Sequence, residues 1–171
     1  AGLAQMLMKS GQMDAARELA ADLIQTTTEP DLSEPIAVRQ RIRAIDAHAW
    51  VNPGSWGDFE EEYIALHTDD SVDAGGRSSA GAFIESARAF LREKNFPMAR
   101  RRAMQAAKIF SNTDGERSIA VAQSITVAAE SVLKQDPAQA EEELLLAREI
   151  FEEVAAPTSL DGHWPTILLI Q

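Results

Sequence analysis

Small and large apolar residues recur at helical spacing in blocks of about 40 residues, and this pattern confines the chain to paired α-helices. Ala16, Phe59, Ala99 and Ala140 each stand early in the second of two apolar-periodic segments, at separations of 43, 40 and 41 residues. The clearest block holds Phe83, Ala87 and Phe90 on a first helix, then Phe96, Ala99, Ala103 and Ala106 on a second. A fourth block repeats part of this ladder with Ala128, Pro137, Ala140, Leu144 and Ala147. The first block has Ala4, Leu7, Met13, Ala16, Ala20 and Leu23, and the second a degenerate set around Trp50, Trp56, Phe59, Tyr63 and Leu66. Small residues let two antiparallel helices approach closely, and large ones fill the groove to the next pair. No useful period-two alternation occurs, so strands are not expected.

Local signals punctuate these segments. Ser10-Gly11 breaks the first pair, and Thr26 to Asp31 is a polar break. Ser33 reads as an N-cap with Pro35 in the first turn of a helix reaching about Trp50. Asn52-Pro53-Gly54-Ser55 is a turn, followed by a helix from about Trp56 to His67. Residues 68–79 are small, polar and glycine-bearing, and read as a flexible loop. Helices are then expected over Ala80–Arg92 and, after a break at Lys94-Asn95, through Phe110. Thr113-Asp114-Gly115-Glu116 has capping-box spacing and would start the next helix, to about Lys134. Asp136-Pro137 supplies a capping acid and a first-turn proline for a last helix to about Ala155.

The ladder of Phe83, Ala87, Phe90, Phe96, Ala99, Ala103 and Ala106 resembles the tetratricopeptide repeat. The resemblance covers roughly residues 1–155. It implies an all-α fold of about four antiparallel helix pairs stacked as an α-solenoid, with residues 156–171 as a C-terminal apolar segment. The period here is longer than the family's ~34 residues, which implies longer helices or loops. Ser111 stands where the family usually has a proline, whereas Pro157 follows the last pair.

With 171 residues the chain has room for about one ordinary domain and a sizeable core. It contains no cysteine, which excludes disulfides, thiolate metal sites and cysteine nucleophiles. No apolar run is long enough for a membrane helix, and no signal peptide is visible, so a cytoplasmic location is expected. The absent initiator Met and the apolar Trp164, Ile167, Leu168 and Ile170 suggest an excised portion of a longer protein or a homo-oligomer. Those four residues are the self-association candidates.

Most chemical signatures are missing. His48, His67 and His163 do not stand in metal-binding spacing, and no phosphate-cradling glycine loop occurs. Ser131 and Lys134 match a serine–lysine catalytic spacing whose companion motifs are absent. Asp69, Asp70 and Asp73 suggest a cation loop, but Ala74 and Ala80 stand where a calcium loop needs Gly and Glu. No metal or cofactor is expected. Glu60–Glu62 and Glu141–Glu143 fall in first helical turns, where the helix dipole favours negative charge.

Against 27 acidic residues and a net charge of -11, one stretch is basic: Arg88, Arg92, Lys94, Arg100, Arg101, Arg102 and Lys108 oppose Glu93 alone. Such an acidic chain is a poor general binder of nucleic acid or anionic membrane. In tetratricopeptide-like solenoids the first helices line a concave groove. The resemblance therefore points Lys9, Arg41, His48, Ile84, Arg88 and Arg92 toward that groove, and arginine forks suit an acidic peptide or a C-terminal carboxylate. The opposing reading pairs these arginines with the chain's own carboxylates. The expected function is a protein- or peptide-binding scaffold without catalysis. The alternatives are a sensor or oligomerisation domain of a larger regulator, and a helical-bundle enzyme.

Overall fold

In a computed structural model, which describes residues 2–68 and 76–154, eight α-helices form and no strand occurs among the described residues. They are α1 (Gly2–Lys9), α2 (Met13–Thr26), α3 (Pro35–Val51), α4 (Trp56–His67), α5 (Arg77–Arg92), α6 (Phe96–Asp114), α7 (Ile119–Val132) and α8 (Pro137–Val154). The described residues are all-helical apart from the connecting turns, and helices adjacent in sequence pack together: α1 on α2 and α2 on α3, then α5 on α6, α6 on α7 and α7 on α8.

The helix ends follow from local chemistry. Gly11, at φ 79°, closes α1, and the Gln12 amide donates to the Leu7 carbonyl at 2.8 Å, the long bond of a Schellman motif. The same device ends α5, where the Asn95 amide reaches the Phe90 carbonyl at 2.9 Å. There, however, the left-handed position is held by Lys94, at φ 60°. Asp136 caps α8 by accepting from the Gln139 amide at 3.0 Å, with Pro137 next, as expected.

Three expected starts are displaced. α5 begins at Arg77, inside the stretch 68–79 expected as a loop, and not at Ala80. Ser33 does not cap α3: its hydroxyl and amide both donate to Asp31, and Glu34 holds the cap position without a side-chain bond. The capping box at Thr113–Glu116 does not form either. The Thr113 hydroxyl points back to the Phe110 carbonyl, α6 continues to Asp114, and Gly115, at φ 92°, ends it. Ser118, in extended backbone, caps α7 instead by accepting from the Val121 amide.

The packing divides into two compact units, Ala1–Leu66 and His67–Gln171. In the first, Ala16, Ala20, Ala47 and Val51 are buried together, with Leu7, Met8, Leu19 and Leu23 around them. Trp56 and Tyr63 on α4 are buried and meet edge to face at 4.9 Å. In the second unit, Ala87, Ala103, Ala106, Ala128 and Ala147 are fully buried beside Phe110, Ile150 and Phe151. The ladder's alanines are thus contact points between helices. α5 also touches α7, two helices on, and α1 likewise touches α3.

Candidate ligand-binding face

The second unit presents a charged face where α5 and α7 lie side by side. On α5 the least buried stripe is Gly81, Glu85, Arg88 and Arg92, at three- and four-residue spacing. On α7 it is Ile119, Gln123, Glu130 and Lys134, the last just past the helix end. Arg88 donates to Glu85 one turn earlier on its own helix. Its charge also acts on Glu130 across the face. Burial pushes the half-buried Glu130 carboxyl above the usual carboxylate range, and Arg88 pulls it partly back. At the N-terminal ends of the two helices the face opens into a cleft of about 540 Å³, lined by Arg77, Asp114, Ile119, Gln123 and Val154. Arg77 and Asp114 pair within this lining at 3.3 Å.

The six groove candidates fall into different settings. Ile84 faces inward and joins the core around Ala80 and Phe110, so it does not line a surface groove. Arg88 and Arg92 lie on the α5/α7 face, Arg88 half-buried and Arg92 exposed. In the first unit, Lys9 is exposed at the end of α1. Arg41 is taken up by the fold. It is 5% exposed, donates from Nε and Nη2 to both Glu62 oxygens at 2.7 and 2.8 Å, and reaches the Ile24 carbonyl at 2.8 Å. His48 packs edge-on against Phe59 at 5.1 Å, with Nδ1 3.2 Å from the Ser55 hydroxyl. Burial lowers its pKa, and Asp58 partly restores it. Trp164, Ile167, Leu168 and Ile170 lie outside the described residues, as do Asp69, Asp70 and Asp73 of the acidic loop.

The basic stretch is largely engaged. Arg100 donates to both Glu143 oxygens at 2.6 and 3.0 Å and to the Ala128 carbonyl at 3.2 Å. Arg102 lies over the Phe83 ring at 5.6 Å and donates to Gln105. Arg101 and Lys108 are exposed and make no ion pair among the described residues. The two acidic triplets therefore do not stand in first turns as expected: α4 starts at Trp56 and α8 at Pro137, which places Glu60–Glu62 and Glu141–Glu143 a turn further on, where Glu62 and Glu143 hold Arg41 and Arg100.

The other chemistry is quiet. Ser131 is buried and its hydroxyl donates to the Ala128 carbonyl, turned away from catalytic use with Lys134. Ser124 and Thr126 are buried and back-bonded in the same way. Among the described residues no group of three or more His, Asp or Glu side chains gathers to hold a metal. A polar cleft of about 500 Å³ runs along Gln25–Asp31. The hydroxyls of Thr26, Thr27 and Thr28 there donate to carbonyls of α2.

Glu130 is the residue that sequence reasoning passed over. It is the sole charged residue of the α7 segment IAVAQSITVAAESV, and that isolation was the available signal. No family model, curated protein or solved structure matches the chain. No described helix is long and apolar enough to cross a membrane.

Proposed function

We propose that this chain is a tetratricopeptide-like helical-repeat scaffold that binds a protein or peptide with acidic groups, and that it performs no catalysis. The observation that carries the reading is the α5/α7 face. Two first helices of successive pairs touch, and they carry Arg88 and Arg92 toward one end of the face and Gln123 at an open cleft toward the other. A contact between alternate helices is what stacked helix pairs produce, and it recurs between α1 and α3. The face offers cationic forks and amides for orientation, and Ile119 at the mouth of the cleft for apolar contact. Arg88 is paired with Glu85 one turn earlier, so its fork is oriented by its own helix, and an incoming carboxylate exchanges one anionic neighbour for another. That exchange favours ligands with several acidic groups over a single carboxylate.

The test is retention of peptides from a fluorescent library rich in Asp and Glu with free C-terminal carboxylates. The wild-type chain should retain a subset, and Arg88→Glu combined with Arg92→Glu should abolish retention with unchanged far-ultraviolet dichroism. Retention of no acidic peptide by the wild type, or equal retention by the double variant, would sink the reading.

A further inference from the structure

The other side of the second unit carries a pattern that the α5/α7 face does not use. α6 and α8 are joined along a seam by the Arg100–Glu143 pair. Outward of that seam, α6 exposes Arg101, Met104 and Lys108, with Met104 46% accessible. α8 exposes Glu142, Leu145 and Glu149, with Leu145 41% accessible and Leu146 beside it 42%. The spacing on both helices is the same, a charge, an apolar residue three positions on, and a like charge four positions further. One stripe is basic and the other acidic. Arg101, Lys108, Glu141 and Glu142 make no ion pair among the described residues, while Glu149 holds Arg117 at 2.8 Å.

We infer that this face binds a second copy of the same chain. An isologous interface must be complementary to itself, and a basic stripe running beside an acidic one satisfies that condition. A two-fold axis along the seam sets α6 against α8 of the second copy with the helices parallel. The matched spacing then brings Arg101 and Lys108 opposite acidic residues and Met104 opposite leucines. Each charge meets its opposite twice, and the exposed apolar side chains leave water together. The helices have 19 and 18 residues. At about 1.5 Å per residue and ~10 Å between axes, two such helices offer roughly 500 Å² per copy. About 1,000 Å² in total is the lower limit for a specific interface, so the dimer belongs with weak, transient associations. The α5/α7 face is left open in such a dimer, which would then present two ligand faces.

The experiment is light scattering behind size exclusion on the full chain, from low micromolar to near millimolar. The wild type should pass from monomer to dimer, and added salt should shift the transition to higher concentration. Arg101→Glu with Lys108→Glu makes both stripes acidic, and Glu142→Lys with Glu149→Lys makes the α8 stripe basic. Each double variant alone should dimerise at least about tenfold more weakly. Mixed in equal amounts they should form a heterodimer, because each stripe then meets its opposite. A wild type that stays monomeric throughout overturns the inference. So do self-association unchanged in both variants, which would place the contact on another surface, and a mixture that fails to recover association.

Discussion

Arg100 on α6 and Glu143 on α8 meet fork to fork, and the same guanidinium also reaches the Ala128 carbonyl on α7. One side chain thus ties three helices, and the carboxylate and burial act oppositely on it: the Glu143 bond raises the Arg100 pKa while desolvation lowers it. Both side chains are about three-quarters or more shielded from solvent, so the pair is stronger than an exposed one. Arg100→Ala should cost about 2 kcal/mol, mostly by leaving Glu143 and the Ala128 carbonyl without their donor. Arg100→Lys should recover little, since an ammonium cannot reproduce the planar two-point contact. Urea midpoints for the two variants decide this, and a lysine variant as stable as wild type would count against the fork geometry.

Arg41 plays the corresponding part in the first unit, joining Glu62 on α4 to the Ile24 carbonyl at the end of α2. Its side chain is 6% exposed, and Glu62 is 38% exposed. Removing the carboxylate leaves a buried cation, so Glu62→Ala should cost about 3 kcal/mol, whereas Arg41→Met should cost less because it removes the charge and keeps volume. A double-mutant cycle over Arg41 and Glu62 should show clear coupling. Additive losses would mean that the pair contributes nothing beyond its separate packing.

These two pairs mark the limit of what sequence reading could reach. Helix positions were legible because their signals are local: Gly11, Gly54 and Asp136-Pro137 act within one turn. The alanine ladder was legible because burial repeats with the helical period. Arg41 and Glu62 are 21 residues apart and Arg100 and Glu143 are 43 apart, so no local rule links them. Ile84 was assigned to the groove through the family resemblance, whereas the structure buries it in the core around Ala80 and Phe110. Thr113 and Ser118 competed for one cap, and Gly115 in left-handed backbone decided for Ser118.

Lys94 occupies a position that favours glycine. Its φ of 60° closes α5 in the Schellman motif, where a Cβ is strained. Lys94→Gly should therefore stabilise the second unit by about 1 kcal/mol. The gain should raise the urea midpoint without changing the slope. A loss would show that the Lys94 side chain makes a compensating contact.

The alanine ladder yields a size test. Ala103 is fully buried among Ala87, Phe110 and Ala128, while Met104 next to it is 46% exposed. Ala103→Leu adds three carbons to a closed contact and should cost about 2 kcal/mol through displaced helices. Met104→Leu should leave stability within about 0.5 kcal/mol. Similar effects at the two positions would argue against close approach as the reason for alanine.

Glu130 makes stability depend on pH in a direction opposite to most carboxylates. Burial raises its pKa from 4.5 in the folded chain, with Arg88 opposing and Glu85 sharing that arginine. A folded carboxyl that holds its proton more tightly than the unfolded one stabilises the fold fully below the unfolded pKa. That contribution is lost as pH rises through the raised folded value. At neutral pH the ionised, half-buried carboxylate is therefore a cost, and Glu130→Gln, which keeps the shape without the charge, should be more stable than wild type. The difference should shrink on acidification toward the ordinary carboxylate range, where the wild-type group becomes neutral as well. Arg88→Met should raise the Glu130 pKa further, so at neutral pH the gain from Glu130→Gln should be larger in the Arg88→Met background than in the wild type. Urea midpoints of the wild type, the two single variants and the double variant across a pH series provide the measurement. A gain that grows as pH falls would mean that the Arg88 attraction, and not burial, governs this carboxylate.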